Sequence, residues 1–194
     1  MTDIDASADP RGLSIRRVRL VELGATALEA LADDDLAAAG AAAGAELGGY
    51  FLGETWWWRL RLSQLLDDPS RAGWLAHVAV DAGSGAGRRD PAIGFASFHG
   101  PPDDHGMVEI GYAVAPEFRR RGYARGIVAA LIDKAAASPE VTTVRAAISP
   151  ENSASLATIA GFGFTHVGQQ WEKADGLEYL YERPVVLPPG HAGA

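Results

Sequence analysis

The chain contains no cysteine, which excludes disulfide scaffolds, thiolate metal sites and cysteine nucleophiles together. Positive charge is scarce as well: 17 Lys and Arg stand against 25 Asp and Glu, a formal net charge of −8. A surface of that sign does not gather phosphate backbones, so nucleic-acid binding is not expected, and a neutral or cationic partner fits better. Long apolar runs are missing too. The longest, Leu36 to Ala45, is ten residues of mostly Ala and Gly, well short of the roughly 20 that span a bilayer. The polar, acidic opening from Met1 to Arg11 does not read as a signal peptide. The expectation is a soluble cytoplasmic protein that engages neither membrane nor nucleic acid.

What is present is ordinary globular composition: 194 residues, 47% hydrophobic and 22% charged, enough for one sizeable core. Residues 1–12 read as a loose leader, 13–184 as a single domain and 185–194 as a Pro- and Gly-containing tail. Local patterns predict a strand over Ser14–Leu20 and an Ala-rich helix over Thr26–Ala43, with Asp33, Asp34 and Asp35 on its solvated face. A second helix runs from a Thr55 cap to Leu66. Strands follow at Trp74–Val80, Ile93–Phe98 and Val108–Ala115, then a helix over Tyr123–Ala137, a strand over Thr142–Ile148 and a short helix after Asn152. Two last strands, Phe164–Trp171 and Leu177–Glu182, flank the turn Ala174-Asp175-Gly176. This order implies an α+β fold with a single mixed, mostly antiparallel sheet flanked by helices.

Chemistry concentrates between Val108 and Ile132, where V-E-I-G-Y-A-V-A-P-E-F-R-R-R-G-Y-A-R-G leads from strand through loop into helix. The first turn of a helix leaves amide donors without intrahelical partners, and its dipole adds partial positive charge. Such a place suits a phosphate or pyrophosphate. Gly122 lets an anion approach the main chain, and Arg119, Arg120 and Arg121 concentrate positive charge there. Taken alone, the run also fits an ordinary connection with a solvated basic face.

With its neighbours the segment resembles the GNAT superfamily of acetyl-CoA-dependent N-acetyltransferases. That family's loop, [QR]-x-x-G-x-[GA], is matched by Arg119, Gly122 and Ala124. E-I-G-Y at Glu109 to Tyr112 and A-P-E at Ala115 to Glu117 look like its branch of ribosomal-protein N-terminal acetyltransferases. A second block lies downstream, S-P-E-N-S-A-S-L and then G-F-G-F, with Asn152, Ser155, Gly163 and Phe164 in order. The resemblance implies an acyl-CoA N-acyltransferase fold in which two central strands splay apart and the donor's pantetheine arm pairs with the free edge. It implies that the backbones of Tyr112 and Val114 hold that arm, that Arg119, Arg120, Arg121, Gly122, Tyr123 and Ala124 wrap the pyrophosphate, and that Asn152 and Ser155 close the other side. Acetyl-CoA is then the donor, no metal is required, and a homodimer is a family-based expectation.

Acetyl transfer to an amine needs a base for the nitrogen and a donor for the leaving thiolate. Many family members carry a tyrosine seven residues after the asparagine; here that position is Ile159. Ser155 matches the serine of the resembled branch and takes the donor role. Glu109, Glu172 and Glu178 are the carboxylate candidates for the base. Glu109 ranks first because it lies on the strand beside the implied acetyl position, and Glu172 second by branch resemblance.

Other features carry less. Gly83-Ser84-Gly85-Ala86-Gly87 imitates a dinucleotide fingerprint, but a strand and not a helix follows it, so it reads as a hairpin loop. His99, Asp103, Asp104 and His105 cluster beside Pro101-Pro102 without helical ligand spacing, so the loop is expected to border the acceptor groove instead of binding metal. In Trp56-Trp57-Trp58, helical spacing aligns Trp58 with Leu62 and Leu65 as core, and Trp57 with Arg61 and Gln64 on a polar face. Trp57 is therefore the candidate for the acceptor groove or a subunit contact. The whole reads as an acetyl-CoA-dependent N-acetyltransferase acting by direct attack in a ternary complex, since no serine–histidine pairing is indicated. The acceptor is a primary amine, with a protein N-terminus ahead of a small-molecule amine; a non-catalytic acyl-CoA-binding domain is the reading from another class.

Overall fold

A computed structural model describes residues 15–83, 90–173 and 176–185. The expected leader, most of the glycine loop and nearly all of the tail lie outside them. One seven-stranded sheet organises the molecule, in the order β1-β2-β3-β4-β5-β7-β6. Its strands are β1 (Val18–Glu22), β2 (His77–Asp81), β3 (Ala92–Phe98), β4 (Met107–Val114), β5 (Thr143–Ile148), β6 (Thr165–Glu172) and β7 (Gly176–Pro184). All neighbours run antiparallel except β4 and β5, which is the mixed, mostly antiparallel α+β sheet expected from the sequence. The helices are α1 (Ala25–Ala32), α2 (Leu36–Ala43), α3 (Thr55–Asp67), α4 (Tyr123–Ala136) and α5 (Ser153–Ile159). None among the described residues is long and apolar enough to cross a membrane.

Each face of the sheet has its own core, because strand side chains alternate. On one face Val108, Ile110 and Val114 of β4 and Val144, Ala146 and Ile148 of β5 pack under Ile127 and Leu131 of α4 and Ile159 of α5. On the other, Val78 and Val80 of β2 meet Leu28 and Leu31 of α1 and Trp58 of α3. Even-numbered residues of β4 thus face α4 and α5, and odd-numbered ones face away from them.

Three local expectations are corrected. The region read as one helix over Thr26–Ala43 is two. Asp34 adopts φ 58, and Asp35 caps the new helix by accepting from the Ala38 amide at 2.9 Å. Aspartate bonds readily to nearby backbone and tolerates left-handed geometry, so the acidic run is a break and not a solvated stripe. Thr55 is the first residue of α3 and not its cap, which is Glu54 without a side-chain bond. Trp58 is buried as expected, with its indole N–H donating to the Phe51 carbonyl at 3.2 Å. Trp57, however, is not on an open polar face. It is half-buried against Trp58 and Phe95, with ring centroids at 4.6 and 5.1 Å, and the Arg61 guanidinium covers it at 4.8 Å. Phe95 of β3 supplies the surface that turns this side of α3 inward, and Trp56 is the tryptophan left 64% exposed.

Candidate active site

Strands β4 and β5 pair only from Met107–Thr143 to Glu109–Arg145. Beyond that point no further β4–β5 pairs form, a gap in the pairing. Backbone alternation shows what the open edge of β4 offers. The His99 N–H donates to Glu109 O at 2.9 Å and the Ala115 N–H to Ile93 O at 2.9 Å, so the odd-numbered peptide groups of β4 face β3. Those of Ile110, Tyr112 and Val114 therefore face the gap. The Val114 carbonyl is engaged there by Arg119 Nε at 2.9 Å.

The gap opens into a cleft of about 940 Å³ lined by Tyr112, Val114, Arg119 to Gly122, Ala124, Asn152, Ser155 and Thr158, among others. At one end is the loop before α4. Arg120 (φ 59) and Gly122 (φ 86) are both left-handed, which curls the loop so that successive amides can converge on one point. A residue with a side chain pays for that geometry, and glycine does not. Gly122 is the N-cap of α4, so the cleft ends on the free amides and positive pole of a helix. Arg120 and Arg121 are exposed beside it. Arg119 turns back onto Val114, and the Tyr123 side chain leaves the cleft, its hydroxyl donating to Asp81 Oδ2 at 2.7 Å. Arg119 nonetheless still lines the cleft.

The opposite wall is the start of α5. Asn152 caps the helix, its Oδ1 accepting from the Ser155 amide at 3.0 Å, which leaves its carboxamide N–H donors for the cleft. Ser155 and Thr158 stand next to the Tyr112 hydroxyl, which is buried and makes no hydrogen bond of good geometry. Burial pushes the Tyr112 hydroxyl above its ordinary pKa, while the Ser155 and Thr158 hydroxyls act in the opposite direction. Ile159, at the position where many relatives carry tyrosine, is buried in the core. Arg125 of α4 ties this wall in place, donating to Ala160 O at 3.2 Å and stacking over Phe162 at 5.0 Å.

The three carboxylates are dispersed. Glu109 lies at the last β4–β5 pair, on the face away from α4 and α5. Glu172 is exposed at the hairpin end of the edge strand β6, and Glu178 accepts from Gln170 Nε2 on the same hairpin at 3.0 Å. None of the three is among the residues that line the cleft. In the loop between β3 and β4, Asp103 holds a turn, accepting from the His105 and Met107 amides at 2.9 Å each. Those two bonds keep its carboxyl below the usual range. Among the described residues no group of three or more His, Asp or Glu is placed to hold a metal. Sequence reasoning passed over Thr158 and Arg125, which face the cleft only because α5 packs on α4.

A sheet opened between two parallel strands, with a helix N-terminus at the mouth of the opening, is the acyl-CoA N-acyltransferase fold. The chain belongs to the GNAT acetyltransferase domain family, whose pattern it matches over residues 13–165. An uncharacterised N-acetyltransferase of Bacillus subtilis, YjdG, is 35% identical over 72 residues, which cover 37% of this chain and 43% of that relative. The fold is shared with a ribosomal-protein-S5-alanine acetyltransferase from Vibrio fischeri (TM-score 0.58, 21% identity, 87% of this chain and 92% of that one). RimJ of Mycobacterium smegmatis in complex with CoA-disulfide is similar to the same degree (0.59, 19%, 86% and 81%). So is a spermidine N-acetyltransferase, SpeG, from Vibrio cholerae (0.58, 15%, 87% and 94%).

Proposed function

We propose that this protein transfers the acetyl group of acetyl-CoA to a primary amine by direct attack in a ternary complex. The observation that carries the reading is the free β4 edge at Tyr112 and Val114, opening onto a cleft that ends at the N-terminus of α4. The Tyr112 peptide and the Val114 N–H bond the pantetheine arm as an added strand would. The amides from Arg121 to Ala124, with Arg120 and Arg121, hold the pyrophosphate, and the Asn152 carboxamide bonds the arm from the other wall.

The amine enters from the face opposite α4 and α5, where Glu109 receives its proton. The C–N bond forms as the C–S bond breaks, and the thiolate takes a proton from Ser155, backed by the Tyr112 hydroxyl. Acid and base then come from opposite faces of the sheet. A protein N-terminus is the leading acceptor, supported by Ser155 together with Ile159 at the usual tyrosine position and by likeness to an S5-alanine acetyltransferase. A polyamine is the second reading, favoured by the net charge of −8 and likeness to a spermidine acetyltransferase.

Thermal denaturation with acetyl-CoA tests the donor site. Ligand at 100-fold its Kd stabilises by about 2.7 kcal/mol, a rise of several degrees. The shift should vanish in Gly122→Glu, which fills the anion position with a carboxylate. Ser155→Ala should keep the shift and lose at least tenfold in kcat. A folded wild type with no shift at millimolar acetyl-CoA would remove the reading, and an indifferent Ser155→Ala would favour a binding domain over an enzyme.

A further inference from the structure

Four ionisable side chains form one row across the sheet. His99 follows the last residue of β3 and bonds through its N–H to Glu109 O. Glu109 is in register with Arg145 of β5, and Arg145 with Glu182 of β7. By strand alternation all four lie on the face away from α4 and α5. The row coincides with the last β4–β5 pair before the strands part. Its members form two pairs: His99 Nδ1 is 3.0 Å from Glu109 Oε1, and Arg145 Nε donates to Glu182 Oε1 at 2.9 Å.

The imidazole is oriented through Nδ1. Nδ1 rests on a carboxylate that is 14% exposed, while the His99 side chain itself is 58% exposed. Nε2 reaches across β4 to Gly111, lying 3.7 Å from where a Cβ on that residue would stand. It therefore overhangs the strand one residue before Tyr112. A ring whose one nitrogen donates to a sheltered carboxylate has its tautomer fixed, so the other nitrogen carries the lone pair. That is the arrangement of a general base with an orienting acid.

We infer that His99 is the general base of this site and that Glu109 serves it as a positioning residue. The inference rests on the acetyl-transfer reading above and changes which atom takes the proton. The amine nitrogen forms its bond to the acetyl carbon, the C–S bond breaks, and the amine proton moves to His99 Nε2. Glu109 balances the imidazolium that results, and Arg145, held by Glu182, borders the carboxylate in the next register position. The acceptor must then reach the centre as an extended amine over Gly111, with bulk directed away from the sheet.

Acetyl transfer to spermidine and to an alanine-led peptide tests this, with acetyl-CoA affinity followed by thermal shift. His99→Asn keeps a donor toward Glu109 but cannot take a proton. It should lower kcat about a hundredfold or more, in the range of general-base loss, with the acetyl-CoA shift unchanged. Glu109→Gln should cost less, and the double variant should be no worse than His99→Asn, since the two act as one unit. Activity of His99→Gly should recover in part with added imidazole. If His99→Asn retains activity within twofold while Glu109→Gln loses it, Glu109 takes the proton itself; the inference falls and acetyl transfer stands. If the wild type neither binds acetyl-CoA nor turns over, both fall together.

Discussion

His77 is a basic side chain in a setting that disfavours its charge. It opens β2 fully buried, packed against Phe98. Burial, reinforced by Lys134, lowers its pKa to about 4, and backbone groups of Ala96 and Gly73 recover only part of that. In the unfolded chain an imidazole titrates near 6.5. Between those two values the unfolded state binds a proton that the native state refuses. Stability is therefore full above pH 6.5 and declines as the pH falls toward 4, by about 3 kcal/mol if the whole shift is realised. Urea denaturation at pH 7.5 and pH 4.5 should show that loss in the wild type, and His77→Leu should flatten it. An unchanged slope in the variant would assign acid sensitivity to other groups. The sequence could not announce this histidine, because burial depends on which strands flank it. The same limit hid the partnership of His99 with Glu109. The two are ten positions apart in sequence, and only the β3–β4 register, Phe98 opposite Ile110, brings them together. Glu109 and Ser155 were legible as candidates because local motifs carry them.

At the scale of elements, α4 is held by small residues at its points of contact. A Cβ on Gly126 would lie 2.2 Å from the Arg16 carbonyl oxygen and 2.8 Å from Val18 Cγ2, where the chain enters β1. Backbone cannot yield there as a flexible side chain would. Gly126→Ala should cost at least the 1–3 kcal/mol typical of overpacking. Because α4 presents its N-terminus to the cleft, the variant should also weaken the acetyl-CoA shift. Chemical denaturation and ligand titration on the same preparation check both. A variant as stable as the wild type would mean that Arg16 moves aside freely. Elements bounded by strong punctuation were readable: Ser138-Pro139 closes α4 as predicted, and β3, β4 and β5 lie within a residue of expectation. The break between α1 and α2 was not, since an Ala-rich run satisfies helix propensity on both sides. Only the left-handed Asp34 backbone, with its Oδ1 accepting from the Gly53 amide at 3.2 Å, reveals that the chain turns there.

At the scale of the molecule, the two cores give the sheet two different tasks under the proposed reaction. The α4/α5 side receives a polyanionic donor at a helix N-terminus lined by arginines. The other side receives an amine near Glu109, Glu182 and the aromatic group in which Tyr50 stacks on Phe95 at 6.1 Å. Tyr50 itself lies within the fields of Arg119, Glu54 and Glu117, one cation and two carboxylates. A net charge of −8 adds a long-range attraction for cations that salt screens over about 10 Å at 0.1 M. The two acceptor classes should therefore respond differently to ionic strength. With spermidine, kcat/KM should fall severalfold between 20 and 300 mM salt, through KM and not kcat, because encounter is steered by the whole field. A singly charged peptide N-terminus should lose far less over the same range. A steep salt response confined to spermidine, joined to the higher kcat/KM at physiological salt, would make the polyamine the working acceptor. A flat response with a faster peptide would leave the field to the protein N-terminus, and contacts over Gly111 would then govern selection.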